Sequence, residues 1–332
     1  MSNEVIKNNS EILFLWSANM CNPNGDMMSD NAPRFDDGDE KAIVSDVRVK
    51  RTIRDDMQFR KLVPNIFVDN ELILSEGLKA EKRFDKLKDL LKDKKDEREI
   101  FLSCIDNRLF GGVAPKSGIQ LTGTVQFIWS KTLNKTEQVF SQGIGAFATE
   151  KKKDQNENID QKVEEASENA RFQKTFRADN YIPFGVFALY GSVNKNSAKS
   201  CQTTNDDISQ MIDSLWMGTK FLNTRSKEGQ KSRLLLKIDY TEQSNYFIGL
   251  LNELVELTNE RSGELREFDE CKFDFARLAK AIKKAISRNI VEKVKITIDE
   301  NSKNYESIKK AFESIDGGKI EFVDELDLLQ KA

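Results

Sequence analysis

The stretch from Glu11 to Lys61 sets a strand, a polar loop and a helix in immediate succession, and this order restricts the fold more than any other feature. Ile12-Leu13-Phe14-Leu15-Trp16 is an apolar run with the length and composition of a buried strand. The loop behind it carries two turn signals, Asn22-Pro23-Asn24-Gly25-Asp26 and Asp36-Asp37-Gly38-Asp39. Ser45 caps the next helix, and Asp46 sits in its first turn, where the helix dipole favours an anion. Val49, Ile53 and Met57 recur at helical spacing and predict a face docked on the strand. Lys50 and Arg54 stack one turn apart beside them, with Arg48 and Arg51 on the remaining surface. The segment predicts a concave basic platform suited to a phosphate backbone.

That platform has to be local, because the 332-residue chain as a whole carries a net charge of -3. Charged residues make up 32% and apolar residues 38%, the profile of a soluble globular protein with a very charged surface. There is no histidine, which removes Ser-His-Asp and Cys-His catalysis and His-ligated metal sites. Cys21, Cys104, Cys201 and Cys271 are far apart, with no CxxC pair, and read as reduced thiols of a cytosolic protein. Neither a signal peptide nor a long apolar run is visible, so the expected location is the cytoplasm.

Downstream, Asn65–Val68 predicts a short strand, and Leu78–Arg98 a solvated helix on a narrow apolar stripe of Phe84, Leu87, Leu90 and Leu91. Gly112-Val113-Ala114-Pro115-Lys116-Ser117 mimics the end of a phosphate-binding loop. The match fails, since Pro115 replaces the required glycine and lacks the N–H of a phosphate cradle. Lys116 remains a point charge for a phosphate. Residues 119–129 alternate as a half-buried strand. The segment 130–180 is a long interruption, nearly devoid of apolar residues around Lys151-Lys152-Lys153 and ending in Arg171-Phe172-Gln173-Lys174-Thr175-Phe176-Arg177.

An aromatic-rich strand follows at 181–193, whose Phe184 and Phe187 are assigned to core packing. Ile208, Met211, Ile212, Leu215 and Trp216 form a full helical stripe, again core. The loop 224–233 carries Arg225, Lys227, Lys231 and Arg233 against one acid, Glu228, and predicts cations converging at one strand end. Beyond 241 the pattern predicts a helix over Tyr246–Leu254, a helix at Phe275–Ile282, a strand at Val294–Ile298, a helix at Ile308–Ile315 and a strand at Ile320–Val323.

With the interruptions set aside, the order is βαββαβ. It predicts an α+β fold of RRM-like or ferredoxin-like type, an antiparallel sheet with helices on one face. The core comprises 1–61, 119–129 and 181–240. Insertions fall at 62–118 and 130–180, the second expected to project as a hairpin arm, and an α/β extension covers 241–332.

The motifs Asn22-Pro23-Asn24-Gly25-Asp26, Ala32-Pro33-Arg34-Phe35-Asp36 and Val44-Ser45-Asp46-Val47-Arg48-Val49-Lys50-Arg51-Thr52-Ile53-Arg54-Asp55 carry a family resemblance. Asp106-Asn107-Arg108-Leu109-Phe110-Gly111, Leu121–Phe127 and Ser226–Gln230 extend it over roughly 12–240. In these residues the chain resembles the backbone subunit of the type I-B CRISPR Cascade complex, in the repeat-associated RNA-binding (RAMP) superfamily. It departs at Asp106-Asn107, where Asp-Val is more usual.

The resemblance implies a palm formed by the RRM-like core, a helical finger at 62–118 and a thumb hairpin at 130–180. It also implies copies stacked head-to-tail along a guide RNA (crRNA), with target DNA reached through the guide. The partners it implies are other copies of the chain, a large subunit and a guide-end-binding subunit. Contacts then fall on phosphates and 2′-hydroxyls, because any spacer sequence must be tolerated. By matching position, Arg34, Lys50, Arg51, Arg54, Lys227 and Arg233 are implied as backbone contacts, with Lys116 and Arg177 as further ones. Phe172 and Phe176 are the wedge candidates of the thumb. The resemblance implies a non-cutting protein, with no catalytic residue, metal or cofactor. Two other readings stay open. One is a metal-dependent RNA-cutting backbone subunit, as in type III complexes, using loop carboxylates such as Asp26, Asp30, Asp36 or Asp37. The other is a stand-alone RNA-binding regulator.

Overall fold

The computed structural model describes residues 4–63, 65–69, 79–92, 96–148, 174–315 and 318–329. Strand β1 (Ser10–Cys21) lies at the centre of the main sheet, because it is apolar on both faces and needs cover on both. It pairs antiparallel with β5 (Lys174–Val193) on one side and with β6 (Gln230–Tyr240) on the other. The short strands β2 (Val125–Phe127) and β3 (Ser130–Thr132) pair with the far edge of β5. The order β6–β1–β5–β2/β3 is that of a ferredoxin-like βαββαβ unit, as expected.

Helices α1 (Asp46–Phe59) and α5 (Asn205–Lys220) cover one face, on a core built from Ile12, Phe14, Trp16, Phe187 and Leu189. They approach closely at Gly218, where an added Cβ would lie 2.9 Å from Asp56 Cβ and 3.0 Å from the Thr52 carbonyl oxygen. Because strand side chains alternate, Leu13, Leu15, Phe184, Val186 and Ala188 face the opposite way. The C-terminal extension covers them. Its strands β7 (Val291–Ile298) and β8 (Ile320–Phe322) lengthen the sheet beyond β6, and its helices α6 (Ala276–Ser287) and α7 (Tyr305–Glu313) complete the second core. Phe184 and Phe187 are therefore core residues, one on each face.

The finger forms a third, smaller core from Phe67, Phe84, Leu87, Ile100, Phe101 and Cys104, with helices α2 (Ala80–Leu90) and α3 (Glu97–Leu102), while its helix α4 (Ile105–Phe110) turns Ile105, Leu109 and Phe110 into the first core. The thumb leaves the sheet as a two-stranded ribbon, β4 (Val139–Ala148) against the first half of β5.

Three expectations are corrected. Residues 119–129 are not one strand: Ile119–Thr122 pairs with Gly111–Ala114 inside the finger, and only Val125–Phe127 joins the palm. The break falls at Gly123, which passes so close to the end of α4 that a Cβ would lie 2.1 Å from the Phe110 carbonyl carbon. No strand forms at 65–68, because Phe67 N and Val68 N donate to the Asp106 carboxylate, at 2.7 and 3.0 Å. The helix expected over 246–254 is reduced to one short turn, Leu251–Leu254. There Ile248 N and Gly249 N donate to the buried Glu11 carboxylate, at 2.8 and 2.7 Å, and Gly249 and Leu250 take positive φ, which a helix does not allow. Tyr190 and Tyr240 also donate to Glu11, so this carboxylate pins the start of the extension to β1.

Candidate nucleic-acid interface

Three segments meet at the C-terminal end of β1: the polar loop 22–44, the first turn of α1, and the loop 224–231. Asn24 organises the first two. Its Oδ1 accepts from Ser45 N at 2.9 Å and Ser45 Oγ at 3.0 Å, while Ser45 Oγ caps α1 by accepting from Arg48 N. The third segment is tied on by Asn22 N donating to the Ser226 carbonyl (2.7 Å) and Asn19 N to the Gly229 carbonyl (3.0 Å). Gly229 has φ +102 and lies so near Asn19 that a Cβ would meet its carbonyl oxygen at 2.4 Å. The base of the thumb closes on the same place. Asn180 Nδ2 donates to the Asp30 carbonyl, Gln138 Nε2 to the Pro33 carbonyl, and Arg225 pairs with Asp179 at 2.5 Å.

Two cations stand unneutralised in this junction. Lys227 Nζ donates to the Asn22 carbonyl at 2.9 Å but has no carboxylate partner among the described residues. Its pKa is pushed down to about 8, first by burial and then by the Arg48 charge beside it. Arg48 likewise has no ion pair among the described residues. Burial is the main force lowering its pKa, opposed by Asp55 and reinforced by Arg51. Two half-buried cations that repel each other make a site for a bridging anion, which removes both penalties at once.

The structure separates the other basic residues. Arg34 reaches Asp26 at 3.3 Å and lies 5.9 Å over the exposed Trp129 ring, on the same surface. Lys50 pairs with Asp46 at 2.9 Å, and Arg51 with Asp55 at 2.7 Å. Arg54 is turned inward: it is buried, pairs with the fully buried Asp106 at 2.9 Å and packs 5.1 Å from the Phe110 ring. Arg233 is also held inside, between Asp299 (2.5 Å), Ser17 Oγ (2.9 Å) and the Phe268 ring. The cations of 224–233 therefore do not gather at one site: Arg225 goes to Asp179, Lys231 and Arg233 share Asp299, and Lys227 is the one whose pKa the Arg48 charge lowers.

A sequence model of the family described as CRISPR-associated protein Cas7 matches residues 8–276. A CRISPR-associated protein Cas7 of Haloferax volcanii is 30% identical over 312 residues, covering 85% of this chain and 84% of that protein. The chain belongs to the Cas7 family. Its fold is also that of a chain in a solved "CRISPR RNA-guided surveillance complex, pre-nicking", with a TM-score of 0.51, 12% identity, and 97% and 98% of the two chains covered.

In this Cas7-family protein Lys116 lies away from the junction, on the finger, where it faces Glu81 at 3.4 Å and Asp85 at 3.7 Å. Phe176 and Arg177 lie on the thumb ribbon, opposite Ile144 and Gly143. Phe172 lies outside the described residues. Two of the four loop carboxylates, Asp26 and Asp36, are engaged in ion pairs: Asp26 holds Arg34, and Asp36 together with Asp39 clasps Lys131 at 2.6 and 2.9 Å. The Lys131 ammonium holds the Asp36 carboxyl below its ordinary pKa.

Arg48 is placed on the basic platform by its spacing but is not among the contacts implied by matching position. Spacing does give a clue. Lys50 has an acid four residues before it and Arg51 one four residues after, whereas Arg48 and Arg54 have none at that distance. Only the fold shows that Arg54 finds Asp106, 52 residues on, while Arg48 is left with Lys227.

Proposed function

We propose that this Cas7-family protein is the guide-coating backbone subunit of a type I-B Cascade complex. Copies line up head-to-tail along a crRNA, hold its sugar–phosphate backbone without regard to sequence, and present its bases for pairing with target DNA. The observation that carries this reading is the unneutralised Arg48–Lys227 pair at the foot of the thumb. A phosphate seated there is bound by charge alone and so carries no base preference. Arg34 and Trp129 flank the same surface and add a cation and a stacking face. The remaining partners are a large subunit and a guide-end-binding subunit, and the location is the cytosol. The protein does not cut RNA on this reading, in which Asp26 and Asp36 serve as partners for Arg34 and Lys131.

The test uses the full chain with single-stranded RNAs of unrelated sequence. Ladders of regularly spaced complexes with equal affinity for each RNA are expected. Strong preference for one sequence sinks the proposal. For cleavage, the same RNAs are incubated with Mg²⁺ or Mn²⁺. Intact RNA is expected, and cutting that disappears in an Asp26→Ala or Asp36→Ala variant would establish the nuclease reading instead.

A further inference from the structure

Helix α6 lies on the opposite face of the sheet from α1, since its Leu278, Ile282, Ala285 and Ile286 enter the second core with Leu13 and Leu15. Its outward side carries Arg277, Lys280, Lys283, Lys284 and Arg288, all exposed. Among the described helices of eight or more residues it alone has no acidic residue. Arg277 pairs with Glu256 across to a neighbouring strand, while Lys280, Lys284 and Arg288 form no ion pair among the described residues. Helix stability does not account for this pattern. Cations suit the last turn, where Lys284 and Arg288 sit, but Arg277 and Lys280 stand near the N-terminus, where the dipole opposes them. From Arg277 to Arg288 the charges run along one side for about 16 Å, at 1.5 Å of rise per residue. That length spans about five phosphates of one strand at 3.4 Å each.

We propose that α6 is a second nucleic-acid surface, separate from the guide site and on the other face of the palm, which takes the phosphodiester backbone of a duplex. The apolar side of the helix is already buried in the protein, so nothing is left to insert into a lipid surface. The surface consists of cations on a rigid, docked helix that carries no carboxylate of its own. It therefore reads charge and spacing, not base sequence.

The experiment compares the full-length protein with a Lys280→Glu/Lys284→Glu/Arg288→Glu variant. Binding is measured across a salt series to a 25-base-pair DNA duplex, an RNA duplex and a single-stranded RNA. Duplex affinity is expected to fall about tenfold or more, and its salt slope to drop by about 2.7 for three lost contacts. Single-stranded RNA binding stays within about twofold, because the guide site is on the other face. An Arg48→Ala/Lys227→Ala variant gives the reverse result. The DNA and RNA duplex arms show which backbone the surface takes. The inference is overturned if duplex binding is unchanged, if duplex and single strand lose affinity equally, or if only binding to anionic lipid vesicles is lost. A Lys280→Gln/Lys284→Gln/Arg288→Gln variant losing less than the charge reversal confirms that the effect is electrostatic and not a failure to fold.

Discussion

Helix α1 meets its neighbours at two places built from the same residue type, and the two places differ in what the arginine faces. At the seam with the finger, Arg54 lies against a buried carboxylate, Asp106, that also accepts two backbone N–H groups. At the rim, the Arg48 charge helps to lower the pKa of another cation, Lys227. The seam is a closed arrangement, with every charge answered inside the protein. At the rim neither cation has an ion pair among the described residues, and Asp55 acts on Arg48 only at longer range, which leaves room for an external anion. Counting cations along the helix cannot separate the two, although one is architecture and the other is the proposed binding site.

The sharpest way to break this comparison is Arg54→Ala. Removing one partner of a buried pair leaves Asp106 charged and poorly compensated, a loss of about 3–5 kcal/mol. Urea unfolding followed by circular dichroism measures it. RNA affinity, corrected for the folded fraction, should not change. A stability loss under about 1 kcal/mol with a clear loss of RNA binding would move Arg54 from the seam to the rim.

The second variant, Arg48→Ala/Lys227→Ala, should show the opposite profile. RNA affinity falls by about 10- to 100-fold, or about 1.4–2.8 kcal/mol. The salt slope becomes shallower by about 1.4 for two lost phosphate contacts on a single strand. The melting temperature holds or rises, because two repelling half-buried cations have been removed. Unchanged affinity would defeat the site assignment.

How much of this was legible beforehand depends on the range of the interaction. The buried strand at β1, the Ser45 cap, the stripe from Ile208 to Trp216 and the core role of Phe184 and Phe187 all follow from local pattern, and the structure shows each of them. The βαββαβ order was legible for the same reason. One failure is local, the strand expected over 119–129, whose first half pairs instead with Gly111–Ala114 just before it; the others involve a partner distant in sequence. The apolar spacing over Tyr246–Leu254 imitates a helix, but Glu11, more than 230 residues earlier, takes two of its N–H groups. Asp106 does the same to the strand expected at 65–68. The inward turn of Arg54 and Arg233 belongs to this class too, since their carboxylates are 52 and 66 residues away.

A smaller effect sharpens the rim through pH. The Lys227 pKa near 8, against an ordinary 10.5, means that the charge needed for phosphate is lost as pH rises from 7 to 9. Wild-type RNA affinity should fall over that interval, and Lys227→Arg should flatten the profile. Stability moves the other way. Between about pH 8 and 10.5 the unfolded chain holds a proton that the folded chain has released, so stability rises with pH there. A Lys227→Met variant should therefore gain about 1 kcal/mol at pH 7 and little at pH 10. Titration of RNA binding by fluorescence anisotropy and thermal melts at the two pH values checks both directions. An affinity that is flat for wild type would place Lys227 outside the phosphate contact, whatever the fate of Arg48.

The smallest expected effects lie between seam and rim, at Lys50 and Arg51. Each has an acid one helical turn away, Asp46 and Asp55 respectively, and a pair of this spacing contributes only about 0.3–0.5 kcal/mol to stability. Their charge is already largely answered, so a phosphate would have to compete with a carboxylate to recruit them. Lys50→Ala and Arg51→Ala should each lower RNA affinity by about threefold at most, well below the Arg48→Ala/Lys227→Ala loss. The acid partners make the sharper test. Asp55→Asn frees Arg51 and removes the one carboxylate acting on Arg48, so RNA affinity should rise about two- to threefold at low salt and return to the wild-type value as salt screens the change. If Asp55→Asn weakened RNA binding instead, the carboxylate would be positioning Arg48 rather than competing with the phosphate, and the rim would need an internal counter-charge after all.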